Sequence, residues 1–223
     1  MKISTHSEKE KVKCSKCGHE NELDLYSVIN VSENPELKNQ ILEHKLYGYK
    51  CSDCGRNVAL SYMNTYIDEQ NKIIIFVAPQ SEKIKDRGEA RKIFESMYPA
   101  DELGMDYVKR IVRDVRALTD KIKVFDCGLD DRVIEIMKIF LALNAGEEKA
   151  SPDMIFFDVD KDGKKMFVMV LDNGKVLATD FIEEMYEDFK QEFKDKIDTD
   201  ISGNIEIDPI WAMALLSAGK EDE

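Results

Sequence analysis

The chain has 223 residues, 43% of them hydrophobic and 35% charged, and 45 acids against 32 bases give a formal net charge of −13. That length allows one large domain or two small ones, and that apolar content supports a real core. No apolar run approaches the roughly 18 to 20 residues of a membrane span, and the acidic balance argues against general nucleic-acid binding, which needs a phosphate-neutralising basic face.

The first ten residues hold no apolar signal-peptide core, so the expected compartment is the cytoplasm. Lys9, Lys11, Lys13 and Lys16 read as a solvated strand edge, with a local basic patch as the alternative. Cys14-Ser15-Lys16-Cys17-Gly18 and Cys51-Ser52-Asp53-Cys54-Gly55 are two CxxCG knuckles, which together use four of the five cysteines. Two residues between thiols let a tight turn aim both sulfurs at one ion, and glycine after the second cysteine permits the positive φ that closes it. Two such turns fill a tetrahedron, the pattern of one structural zinc ion on Cys14, Cys17, Cys51 and Cys54. Four thiolates against one dication would deepen the negative charge by about two. Cysteines used this way suit a reducing compartment better than a disulfide scaffold does.

Between the knuckles, Glu22–Val31 alternates as a strand. Asn34-Pro35-Glu36 starts a helix, with Asn34 as N-cap, and Tyr47-Gly48-Tyr49 leads as a strand into the second knuckle. Val58, Leu60 and Tyr62 read as a strand joined by a four-residue loop to the buried run Ile73–Val77, which Pro79 ends. Helices are expected around Ala90–Met97, from Met105 to Ile122, and from Asp130 to Ala145 with Gly146 as stop. The last of these is apolar nearly all round and reads as buried. Three strands follow at 154–159, 165–171 and 175–178, the last two joined at Asp172-Asn173-Gly174 by an expected type I′ turn. Asp180 reads as the cap of a helix with Met185, Tyr186, Phe189 and Phe193 inward. A strand at Ile205–Ile207 and a helix from Asp208-Pro209 to Gly219 close the chain.

The expected class is α+β. A zinc-ribbon-like antiparallel β module with an inserted helix spans 1–80. Central helices packed on it span 81–146, and an antiparallel sheet with helices spans 147–223.

Once the knuckles are placed with their neighbours, the chain resembles the CpXC family, a mostly bacterial group named for two Cys-Pro-x-Cys motifs. The resemblance rests on Cys14–Cys17, Cys51–Cys54, the insert Asn30–Lys38, the hairpin end Ile75–Pro79 and the segment Val124–Glu135, and it covers about residues 10 to 145. It implies a zinc site and a cytoplasmic bacterial protein. The family has no assigned activity, so the resemblance implies no reaction. Ser15 and Ser52 stand where the family has proline, and loss of that ring is expected to loosen each knuckle slightly while leaving the sulfurs in place.

Other candidates are weighed against plainer readings. Asp158–Gly163 imitates the start of an EF-hand loop, but Met169 stands where the bidentate Glu belongs, so an acidic hairpin tip is favoured. Asp130, Asp131 and Arg132 read as a helix cap, with a polar site as the sharper alternative. Cys127 reads as a small buried apolar residue, and His19 and His44 as exposed neighbours of the knuckles. No phosphate loop, HExxH or Gly-x-Ser-x-Gly motif is present. The expected role is a cytoplasmic, zinc-stabilised, non-enzymatic protein that binds a protein partner. The alternatives are a thiol redox sensor or chaperone that ejects zinc when each CxxC forms a disulfide, and an enzyme with a cleft near Asp130–Arg132.

Overall fold

In the computed structural model, residues 3–82, 84–99, 107–145, 150–200 and 204–218 are described. The chain gathers into two compact units, Met1–Thr119 and Asp120–Glu223.

The first unit is built on a five-stranded mixed sheet. Its strands are β1 (His6–Lys13), β2 (Glu20–Asn30), β5 (Asn64–Asp68), β6 (Ile73–Val77) and β7 (Val108–Val112), in the order β1-β2-β5-β6-β7. β1/β2 and β5/β6 are antiparallel, whereas β2/β5 and β6/β7 are parallel. A separate antiparallel pair, β3 (Gly48–Lys50) and β4 (Asn57–Ala59), carries the second knuckle between its strands. Helix α1 (Pro35–Leu42) buries Leu37 and Ile41. Helix α2 (Arg87–Met97) buries Ala90 and Phe94, and Phe94 stacks on Phe76 of β6 at 5.8 Å between ring centroids. Every residue of β5 and β6 is buried, as expected for central strands covered on both faces.

Helix α3 (Val115–Asp126) begins in the first unit and ends in the second. The second unit holds α4 (Asp131–Asn144), a one-turn 3₁₀ helix (Pro152–Met154), and an antiparallel meander of β8 (Ile155–Val159), β9 (Lys165–Val170) and β10 (Val176–Asp180). Helices α5 (Glu183–Glu192), α6 (Lys194–Asp198) and α7 (Pro209–Ser217) complete it. Ile134, Ile136 and Met137 of α4 meet Phe157 and Phe167 of the sheet, Tyr186 of α5 and Trp211 of α7 in one core.

The α+β class, the inserted helix, the antiparallel knuckle arms and the C-terminal meander agree with the sequence reading. Several local expectations do not. The helix expected from Met105 to Ile122 is strand β7 followed by α3, and residues 100–106, Met105 included, lie outside the described residues. Val108, Ile111 and Val112 are β-branched, and a parallel place beside β6 overrides their helical spacing. The hairpin before Pro79 uses β5 in place of the run through Val58 and Tyr62. Asn34 precedes α1 but makes no side-chain cap; its amide donates to Glu36.

Both tight turns of the meander share one geometry. Gly163 N–H donates to Asp160 O and Gly174 N–H to Leu171 O, with the glycines at φ 81° and 80°. Asn173 keeps a negative φ, so a turn closed by a glycine bulge replaces the expected type I′. Asp180 ends β10 and pairs with Lys164, while the cap position of α5 is Ile182. Met185 is exposed, and Ile205–Ile207 forms no strand. The expected stops at Gly146 and Gly219 lie outside the described residues.

Candidate metal centre

Each knuckle is closed by the same two main-chain hydrogen bonds. Gly18 N–H donates to Cys14 O at 2.8 Å and Cys14 N–H to His19 O at 2.9 Å; Gly55 N–H donates to Cys51 O at 3.0 Å and Cys51 N–H to Arg56 O at 2.8 Å. Gly18 and Gly55 sit at φ 75° and 68°, the left-handed region the glycines were expected to supply. The first turn links β1 to β2 and the second links β3 to β4. Together they bring all four sulfurs within 4.8 Å of one another. Cys14 and Cys54 lie 3.7 Å apart, as do Cys17 and Cys51. A metal–sulfur distance near 2.3 Å implies a tetrahedral edge of about 3.8 Å. Four soft donors at that spacing fit one thiophilic ion and can hold it.

Cys14 and Cys51 are buried and Cys17 is exposed, so one side of the cluster faces the interior and the other faces solvent. Main-chain N–H groups of Cys17 and Lys16 hold the Cys14 thiol below its usual range. The N–H of Cys54, with lesser help from Asp53 and the Asn21 amide, outweighs burial and draws Cys51 down to about 6. At Cys17 the His19 N–H favours the thiolate, but desolvation and the three facing sulfurs outweigh it and push the thiol up to about 12. The cluster accepts some negative charge readily and resists the last of it. A bound dication removes that resistance, and its binding expels the remaining protons.

Ser52, one of the two departures from the proline pattern, is tied to the first knuckle. Its N–H and hydroxyl both donate to Oδ1 of Asn21, at 3.0 and 3.1 Å. Proline could supply neither donor.

The lysines of β1 form no free basic patch. Lys9, Lys11 and Lys13 stand opposite Asp24, Glu22 and Glu20 on β2, and Lys9 and Lys13 reach Glu22 and Glu20 at 3.0 and 3.6 Å. Asp158 ends on Lys123, and Asp160 Oδ1 accepts from the N–H groups of Asp162 and Lys164, so the EF-hand look-alike is a hairpin tip. Asp130 caps α4 through Arg132 N–H and takes the Arg132 guanidinium on both oxygens. Asp130 and Arg132 line a groove of about 520 Å³ with Lys190 and Lys194, whereas Asp131 points elsewhere, to Lys121. Cys127 is half-buried against the second core, and burial pushes its thiol up. His19 and His44 are exposed, and His19 serves the site through its backbone.

One constellation escaped the sequence reading. Asp120, Lys121, Asp131, Glu135 and Lys138 are all buried in the second unit. Lys121 reaches Asp131 and Glu135 at 2.9 Å each, and Lys138 reaches Asp120 at 2.7 Å and Glu135 at 3.1 Å. Burial pushes the Asp120 carboxyl up, yet its oxygens accept from Lys138 Nζ and Phe157 N–H, the pattern of an ionised group. The available signal was the i, i+4 and i+3 spacing of Asp131, Glu135 and Lys138 on an otherwise apolar helix.

Fold and site together define an α+β protein with a four-cysteine, metal-competent cluster between two β arms. The family model described as CpXC protein matches residues 12–138, more than half of the chain, and the chain belongs to that family. A search of curated proteins and a search of solved structures returned no match. Among the described residues no helix is long and apolar enough to cross a membrane.

Proposed function

We propose that the four thiolates hold one structural zinc ion and that the chain acts as a zinc-stabilised, non-enzymatic protein presenting its surface to a protein partner in a reducing, cytoplasmic compartment. The observation that carries this reading is the donor set: among the described residues, four cysteines and no histidine or carboxylate make up the cluster. Four protein sulfurs leave no position for water or substrate, the mark of structural rather than catalytic zinc. The neutralised lysine ladder of β1 and the net charge of −13 favour a protein partner over a nucleic acid. Exposed apolar side chains on α4 and α7 favour it too; Leu143, Ile210 and Met213 are 75%, 60% and 45% exposed. Metal analysis of the purified chain is expected to give one zinc per chain. Substoichiometric zinc, or unchanged zinc after Cys51→Ser, would sink the reading.

A thiol switch is the second reading, favoured by the exposure of Cys17. All four sulfurs lie within 4.8 Å of one another, so oxidation by a peroxide is expected to close two disulfides, one within each CxxC, and to eject the ion. Zinc retained under mild peroxide eliminates the switch and leaves the structural reading standing.

A further inference from the structure

We infer that Asn21 is a positioning residue for the metal centre, donating its amide N–H to the Cys51 sulfur in an orientation that Ser52 fixes. The inference rests on the four thiols holding a metal, as proposed above. Asn21 is 7% exposed and all of its polar capacity faces the knuckles. Nδ2 lies 3.2 Å from His19 O and 3.7 Å from Cys51 Sγ, while Oδ1 accepts both Ser52 donors. The amide cannot be turned over. A flip would set the NH₂ against the Ser52 N–H and the oxygen against a carbonyl and a thiolate, losing three of the four bonds and leaving only the Ser52 hydroxyl as a partner. Asn21 therefore ties the first knuckle's exit, at His19, to the second knuckle's entry, at Cys51 and Ser52.

The arrangement occurs once, although the knuckles are otherwise alike. Asn21 stands seven residues after Cys14, and the matching residue seven after Cys51 is Val58, which has no side-chain donor. An N–H bond to a metal-bound thiolate withdraws charge from the sulfur and fixes its direction, and losing a partner of this kind typically costs about ten- to a hundredfold in metal affinity. The serine that replaces the family's proline at position 52 thus adds a support: its N–H exists only because the ring is gone.

The test uses the full chain loaded with zinc, and separately with cobalt(II), in wild type, Asn21→Asp and Ser52→Pro. Asn21→Asp keeps an acceptor for Ser52 but faces Cys51 with an oxygen. Zinc affinity by chelator competition is expected to fall about ten- to a hundredfold, and the sulfur-to-cobalt charge-transfer band to move to longer wavelength. Ser52→Pro removes both donors that orient the amide and is expected to move affinity and band the same way by less, which keeps the test alive if the aspartate variant does not fold. Unchanged affinity with an unmoved band in the folded variants overturns the inference. So does lost thermal stability with an unmoved band, since a purely structural role gives that. A wild-type chain that binds no metal fails the zinc reading itself, and the two failures are distinct.

Discussion

Gly18 and Gly55 carry the conformational cost of closing the knuckles. A Cβ built on Gly18 meets nothing within 4 Å, and one on Gly55 meets only the end of the Lys50 side chain at 3.8 Å. Any loss on substitution is therefore backbone strain, not collision. An L-residue held in the left-handed region costs roughly 1–2 kcal/mol. Gly18→Ala is expected to weaken zinc binding about tenfold, and Gly18→Asn by less, because asparagine tolerates that region better. Chelator competition measures both; equal affinities for all three chains would show that the turn relaxes at no cost. The cysteines and these glycines were legible because covalent spacing alone sets what a CxxCG turn can do. Asn21 was not. Nothing local distinguishes it from other strand asparagines, and its role exists only once Ser52, 31 residues on, is brought against it.

At the scale of elements, pattern and propensity competed, and tertiary pairing chose between them. Val108, Ile111, Val115, Leu118 and Ile122 have helical spacing, but the first two lie in β7, whose place beside β6 satisfies the ladder. Helix α4 was legible as buried on most sides, and its buried charges were missed because they sit on that same apolar helix. They make its sharpest test. At Glu135 burial opposes ionisation, but Lys121 and Lys138 outweigh it and hold the carboxyl below its usual range. Its contribution is present above the unfolded value of about 4.3 and is lost as pH falls through the lower folded value. At Lys138 burial is outweighed by Asp120 and Glu135, so its pKa is raised. That contribution is complete below about 10.4 and is lost as pH rises through the higher folded value. The cluster therefore supports the second unit across the neutral range and fails at both ends. Lys138→Met leaves three carboxyls with one ammonium and is expected to cost about 3–5 kcal/mol. Glu135→Gln leaves two with two and should cost less, about 1–3 kcal/mol. The chain's single tryptophan, Trp211, is buried in that core and reports the unfolding in denaturant titrations. The reverse order of the two variants would refute the charge count.

For the whole molecule, the division into two units predicts that any metal dependence is local. All four cysteines of the candidate metal centre lie between residues 14 and 54, in the first unit, while Trp211 and its core lie in the second. Structural zinc supplies on the order of 10 kcal/mol in small metal-built modules. Whole domains are stable by only about 5–15 kcal/mol. The β3–β4 arms are three residues each, too short to hold a sheet unaided, so their order is expected to depend on the ion. The second unit buries Ile134, Ile136, Phe157, Phe167 and Trp211 without any ligand cysteine. Stripping the metal with a chelator at neutral pH is therefore expected to abolish hydrogen-exchange protection across β3, β4 and both knuckles while Trp211 emission keeps its native wavelength. Two outcomes contradict this. If Trp211 reddens at the chelator concentration that releases the metal, the units unfold as one and the ion stabilises both. If protection over β3 and β4 survives, the hydrogen bonds of the knuckles suffice alone and the cluster is not what folds the ribbon.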